Sequence, residues 1–233
     1  MESKFKFGGV FIMIGLIVLG VMLPKTAKVF RSFDRTVEVR GLCEREVAAD
    51  KLIWPIQFKV VGNELGDVYR EVETKNAKIR KFLADGGISA EEISTATPSV
   101  SDKYSQEYGS NDRMYRYLAT STITVSTKNV QQAQALMEKQ RNLIKDGIVP
   151  ENGWDCTPTF LFEGLNEIKP EMIQEATRNA REVAQKFADD SESKLGKIKN
   201  ATQGYFSIEN RDSNTPSIKK VRVVTNVCYY LTK

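Results

Sequence analysis

The chain contains no histidine. That removes the side chain that most often serves as a general base near neutral pH, and the commonest neutral metal ligand. Cysteine is scarce: Cys43, Cys156 and Cys228 are far apart, and an odd number excludes a fully paired framework within one chain. One disulfide stays open in an oxidising compartment, with no basis in the sequence for choosing the pair. Buried thiols are the expectation for two of the three, because free cysteine packs as a small hydrophobe. Net charge is scarce as well. The whole chain carries +4, and the first 24 residues hold two lysines and one glutamate, leaving +3 for the rest. A nucleic-acid binder would show a basic stripe. Here the signs are mixed, as in Glu44-Arg45-Glu46, so no nucleic-acid partner is expected.

What is present begins at the N-terminus. Phe7 to Pro24 is a run of 18 residues without a charge, preceded by Lys4 and Lys6 and followed by Lys25, Lys28 and Arg31. As a helix it would rise about 27 Å, just enough to cross a bilayer core. It is apolar all round, unlike a buried helix of a soluble fold. A cleaved signal peptide would end in a small-x-small site. The residues that follow, Leu23-Pro24-Lys25-Thr26-Ala27-Lys28, offer none, and no cysteine is placed for lipoprotein processing. An uncleaved single-pass anchor is expected, with residues 1–35 as anchor and basic tether and residues 36–233 as one domain. The flanking charges, two before and four after, taken alone keep the domain in the cytoplasm. Large domains often translocate regardless of such counts.

Beyond the tether, apolar periodicity alternates between two and 3.6. Residues 36–47 read as a strand with Val37, Val39, Gly41 and Cys43 on one face. Residues 52–61 read as another, with Trp54, Ile56, Phe58 and Val60 inward. Pro55 lacks an amide donor, so this strand is expected at an edge or with a bulge. Residues 64–85 carry a helical stripe of Leu65, Val68, Val72, Ile79, Phe82 and Leu83, ended by Gly86-Gly87. A hairpin follows, 95–104 and 115–126 around a polar turn, then a helix over 130–145 stopped by Gly147. Residues 157–163 suggest a strand. Asn166 is read as the cap of a helix running to Lys194, with Pro170 in its first turn. Its stripe is Ile173, Ala176, Ala180, Val183, Ala184, Phe187, Ala188 and Leu195, with Gly196 as the stop. A second hairpin spans 199–208 and 218–231. Strand–helix–hairpin thus occurs twice, at 52–126 and 157–231. The expected class is α+β: an antiparallel sheet with packed helices, preceded by one N-terminal transmembrane helix.

Chemistry-bearing constellations are few. The paired carboxylates Glu91-Glu92 and Glu163 with Glu167 would need a cleft that raises one pKa of each pair. A solvated loop explains them more simply. Asp189-Asp190 reads as a solvated helix face. Ser191-x-Ser193-Lys194 has the outline of a Ser/Lys nucleophile pair but lies in a helical pattern. Gly86-Gly87 is too short to cradle a phosphate. The tyrosines Tyr104, Tyr108, Tyr115, Tyr117, Tyr229 and Tyr230 gather on the hairpins, as an interaction surface or as cross-strand packing. The ladder Ala176-x3-Ala180-x3-Ala184-x3-Ala188 allows close approach to another surface, the domain's own sheet being favoured over a second subunit.

The order of these elements resembles the SIMPL-domain family of exported or membrane-anchored bacterial proteins. Val37-x-Val39-x-Gly41, Asp50 at a strand turn, Gly86-Gly87-Ile88, Ile93-Ser94-Thr95 leading to Tyr104, and the alanine ladder closing on Leu195-Gly196-Lys197-Ile198 carry the likeness. Cys43 near the glycine and the short first hairpin turn depart from it. The resemblance implies export to the periplasm or envelope, a loose link to oxidative-stress defence, and no catalytic residues to carry over. The expected function is therefore that of a non-enzymatic envelope protein. It would be anchored in the inner membrane through residues 7–24, face the periplasm, and act through contacts with a protein partner or a second copy. No catalytic, cofactor or metal residue is assigned. The competing class is a small-molecule-binding or thiol-based stress enzyme, which would require a cleft or a cysteine of lowered pKa.

Overall fold

The computed structural model describes residues 12–20, 22, 35–105 and 114–232. Residues 12–20 are helical, and their apolar side chains are exposed, Ile12 at 67% and Leu16 at 65%. No helix among the described residues is long and apolar enough to cross a membrane. Much of the expected anchor, 7–24, and most of the tether lie outside the described residues, as does Tyr108. The rest of the chain divides into two compact units.

One unit comprises Glu46–Asn166 and Ile208–Lys220. Its sheet has the order β3 (Ile93–Thr95), β5 (Tyr117–Thr127), β2 (Lys51–Gly62), β6 (Thr159–Leu161), with β4 (Ser99–Asp102) also on β5. Alternation does what the sequence indicates. Leu52, Trp54, Ile56, Phe58 and Val60 of β2 are buried, as are Ala119, Ile123 and Val125 of β5. Helix α1 (Leu65–Asp85) adds Val68, Val72, Ile79 and Leu83 to this core, while Leu65 is 42% exposed and Phe82 only borders it. Each fully buried side chain of this size contributes roughly 1.5–3 kcal/mol. One polar pair sits among them: Ser121 Oγ donates to Asn76 Oδ1 at 3.0 Å. Gly87 takes φ 83° at the end of α1, and Ile88 N–H returns to Leu83 O at 3.0 Å, as the double glycine suggests.

Three expectations change in this unit. β2 is not an edge strand, since β5 and β6 flank it. β6, however, pairs only with Lys51–Ile53. The Gln57 carbonyl faces away from β5, accepting from Glu151 N–H at 2.8 Å, and Pro55 has the same parity. Its missing donor therefore falls where the β6 ladder has already ended. The arm 95–104 is two strands: register shifts by one residue between Thr95↔Ile123 and Ser99↔Thr120, across Pro98. The helix over 130–145 is α2 (Val130–Glu138) and α3 (Asn142–Lys145), separated by a 3₁₀ turn at Lys139–Arg141.

The other unit comprises the chain up to Arg45, Glu167–Ser207 and Val221 onward. Most of the sheet β1 (Thr36–Ala48), β9 (Ile218–Thr232), β7 (Lys194–Gln203) belongs to it, and β8 (Ser207–Asn210) also pairs with β9. Among the described residues there are thus two sheets, and the second strand–helix–hairpin unit is divided between them: its hairpin pairs β7 with β9, but its leading strand lies in the other sheet. Its strand β6 joins β2, while β9 takes β1 as its neighbour. Helix α4 (Leu165–Asp190) lays Met172, Ala176, Ala180, Ala184 and Ala188 against this unit's interior, each 0% exposed. Ala180 and Ala184 pack with Val39, Val227 and Tyr229. The buried row has a strict spacing of four, the oblique ridge of a helix. Val183 and Phe187, expected on the stripe, lie off it at 38% and 55% exposure.

Both ends of α4 differ from expectation. The helix begins at Leu165, before the expected cap Asn166, so Pro170 stands inside it, beyond the first turn. It ends at Asp190, not Lys194. Ser193 N–H bonds Ala188 O at 2.8 Å, Glu192 N–H bonds Asp189 O at 3.0 Å, and Glu192 takes φ 50°. This is a Schellman stop with glutamate in the left-handed position usually held by glycine. Lys194 already opens β7, and the arm 199–208 is really β7 and β8.

Candidate functional site

In the unit built on β1, β9 and β7, a groove of about 590 Å³ opens between the flank of α4 and the start of β7. Gln174, Thr177, Arg178 and Arg181 form the helical wall, spaced at three, four and seven, one face of a helix. Gly196, Lys197 and Ile198 form the strand wall, and Tyr229 of β9 contributes to the lining. The alanine ladder creates this arrangement: with methyl groups buried along one row, the neighbouring row of longer polar side chains stands at the rim. The strand wall is irregular, with register shifts between Leu195 and Ile198 and between Ile198 and Asn200. Gly196 is needed there, since a Cβ would lie 2.9 Å from Tyr230 O.

The groove is electropositive. Arg178, Arg181 and Lys197 are exposed, and among the described residues none has an ion-pair or hydrogen-bond partner. The nearest carboxylates on the helix are engaged elsewhere: Glu171 meets Arg45 at 2.9 Å and Glu175 meets Arg45 at 3.7 Å. Tyr229 is 3% exposed, and burial raises its phenol pKa while the Arg181 charge opposes that. Little in the sequence signals this groove. Mixed charges on a helix usually mark a solvated face, and Lys197 and Tyr229 reach it from other elements.

The sequence-derived candidates fall elsewhere. Cys43 is buried and pushed up to about 11, by burial first and then by its hydrogen bond to Glu175. A thiol held in that state is a poor nucleophile. Cys156 is buried with Sγ donating to Gln57 Oε1 at 3.4 Å, Cys228 is half-buried, and all three cysteines are free. Glu92 accepts from Ser89 N–H at 3.0 Å in a capping box, and hydrogen bonds from Thr127 and then Ser89 lower its pKa. Glu163 pairs with Lys51 at 2.7 Å. Ser193 closes the end of α4, donating to Ser191 O at 3.2 Å and accepting from Arg35 at 3.3 Å, while Lys194 is exposed; no Ser–Lys hydrogen bond forms. Asp189, also exposed, accepts from Gln185 at 2.8 Å. On the hairpin, Arg116 stacks 5.0 Å over Tyr117 and 5.8 Å over Tyr104 while bonded to Asp102 at 2.9 Å.

A family model described as SIMPL, a protein of unknown function (DUF541), matches residues 37–226. The chain belongs to the SIMPL family. No curated protein matches it. Within the SIMPL region, the residues that carry the resemblance have structural tasks. Gly41 admits the backbone of α4, and Asp50 accepts from Glu163 N–H at 2.8 Å and Gly164 N–H at 2.7 Å. Gly87 stops α1, and the alanine ladder seats α4 on its own sheet, which settles the choice between sheet and second subunit for these four residues. The groove cations Arg178 and Arg181 lie within the matched span.

Proposed function

We propose that this SIMPL protein is a non-enzymatic, single-pass membrane-anchored envelope protein whose domain faces the periplasm and works through protein contacts. The observation that carries the reading is the groove, where three exposed cations on a helix and a strand have no ion-pair partner among the described residues and stand beside a buried tyrosine. Such a surface is suited to recognition, because charge left unpaired on one molecule is complemented by another. The uncharged run 7–24 and the exposed apolar helix at 12–20 support the anchor. Export is supported by the family resemblance, and four adjacent charges govern a domain of this size poorly. A part in oxidative or envelope stress defence belongs to the proposal on the same resemblance.

A thiol-based enzyme is disfavoured at Cys43 by its raised pKa. The groove is large enough for a small molecule, since ligand pockets commonly fall at about 300–1,000 Å³. Three measurements test the contact, the anchor and the topology in turn. Photo-crosslinking in cells, from probes distributed over the exposed surface, should give discrete protein adducts; smears or no adducts at every position would remove the protein-contact reading. Intact mass of protein from native membranes should retain residues 1–24. Protease added outside the inner membrane should digest the domain, and a protected domain would reverse the topology.

A further inference from the structure

The groove has a chemistry more specific than "protein contact". Its two walls come from different elements, so its positive charge is distributed across the opening instead of concentrated at one point. Arg178 and Arg181 stand one turn apart on α4, with Cβ atoms roughly 5–6 Å apart by helix geometry. Lys197 faces the same space from the bulged start of β7. Ile198, 49% exposed, and the largely buried Tyr229 line the same groove. Among the described residues no carboxylate lines the groove, and the nearby helix carboxylates Glu171 and Glu175 are held by Arg45. Three cations in one groove call for more than one anionic group. A short extended chain presents side chains alternately to opposite sides, at about 6.6 Å between like-facing residues. That spacing suits the arginine pair, and the intervening apolar residue meets Ile198 and Tyr229. At roughly 590 Å³ the groove has room for a few residues of such a chain.

We propose that this groove binds an extended acidic segment of a partner protein, with carboxylates on Arg178, Arg181 and Lys197 and an intervening apolar side chain against Ile198 and Tyr229. This rests on the protein-contact reading and names the partner's chemistry. Arginine suits the task because its planar fork takes a carboxylate with two parallel hydrogen bonds. Strand addition to β7 is not part of the mode. The register shifts interrupt that edge where the groove lies, and bulged edges resist further pairing. Recognition is therefore carried by side chains, and it should be strongly salt-dependent, because the three cations are exposed.

The test uses the full chain in nanodiscs of neutral lipid. A fluorescein-labelled octapeptide of alternating glutamate and leucine is titrated, and its anisotropy followed. Saturable binding is expected, weaker by about tenfold or more for the glutamine analogue, for R178E/R181E and for K197E. All three substituted positions are exposed, and R178Q/R181Q serves if charge reversal disturbs the fold. Affinity of the glutamine analogue or of the folded variants equal to that of the parent pair would overturn the proposal. So would displacement of the peptide by glycerophosphoglycerol as effective as by unlabelled peptide at equal concentration and ionic strength, which would assign the groove to a lipid headgroup phosphate. The broader reading fails separately. If cellular crosslinking adducts persist unchanged in R178E/R181E, protein contact stands and the groove is not its site.

Discussion

Gly41 of β1 meets the backbone of Ala176 on α4: a Cβ at position 41 would lie 1.8 Å from the Ala176 carbonyl oxygen and 2.7 Å from Ala180 N. Strand and helix are in near-backbone contact, a closeness that glycine on one side and alanine on the other make possible. The fit is steric, and Gly41 has no left-handed conformation to explain it. Gly41→Ala should therefore force β1 and α4 apart. A loss of about 1–3 kcal/mol is expected in urea unfolding, as for overpacked cores. A midpoint unchanged from the parent would mean the two elements do not approach this closely.

The buried row of α4 makes a second demand. Ala180→Leu and Ala184→Leu should each lose about 1–3 kcal/mol. Phe187→Ala, although it removes a large apolar side chain, should change stability by less than about 0.5 kcal/mol, because Phe187 is 55% exposed. Glu182→Ala should behave like Phe187→Ala. Equal midpoints for Ala184→Leu and Phe187→Ala would show that the buried face is misassigned.

The end of α4 stores a small, correctable strain. Glu192 occupies a left-handed position at φ 50°, which costs an L-residue roughly 1 kcal/mol. Glu192→Gly should raise stability by about 0.5–1 kcal/mol. Glu192→Ala keeps the strain and should give no gain. Thermal melts of the pair, compared at equal protein concentration, decide the matter.

Asp50 holds a turn by accepting the amides of Glu163 and Gly164. Asp50→Ala leaves both donors without their partner and should cost about 1.5–3 kcal/mol. Asp50→Asn keeps one acceptor oxygen and should cost less. Amide exchange at residues 163 and 164 should quicken in the alanine variant, and unaltered protection there would place the bond's role in doubt.

Cys43 links stability to alkaline pH. Its folded pKa is raised from 9.0 to about 11, so the folded state retains a proton that the unfolded state releases. The contribution is present in full below pH 9 and lost as pH rises from 9 to 11, with a slope of at most about 1.4 kcal/mol per pH unit. Cys43→Ala should flatten that part of the profile. In native protein at pH 8, a maleimide probe should label half-buried Cys228 before Cys43. Fast labelling of Cys43 would revive the thiol-enzyme reading.

Local pattern carried much of this fold. Alternation placed Trp54, Ile56, Phe58 and Val60 inside, because a strand's period of two leaves one buried face and little ambiguity. The glycine pair Gly86-Gly87 stopped α1, and Ala176, Ala180, Ala184 and Ala188 announced a close contact. Local signals misled where two of them competed. Gly196 looked like the helix stop, yet Glu192 takes the left-handed turn four residues earlier. Val183 and Phe187 looked like core residues because hydrophobicity alone does not say which oblique row of a helix meets a twisted sheet.

By itself, then, the sequence determined the α+β class, most inward-facing residues, the uncharged N-terminal run and the likeness to the SIMPL family. These depend on periodicity and composition, which act over a few residues and survive without knowledge of the partner surface. Tertiary structure alone decided the rest. It sent β6 to β2 and β9 to β1, bound Asp50 to amides more than 110 residues away, and set Gly41 against Ala176. It also assembled the groove. Arg178, Arg181, Lys197 and Tyr229 come from three elements, and they line one groove only because chain crossing brings them together, while Arg45 holds the helix carboxylates Glu171 and Glu175.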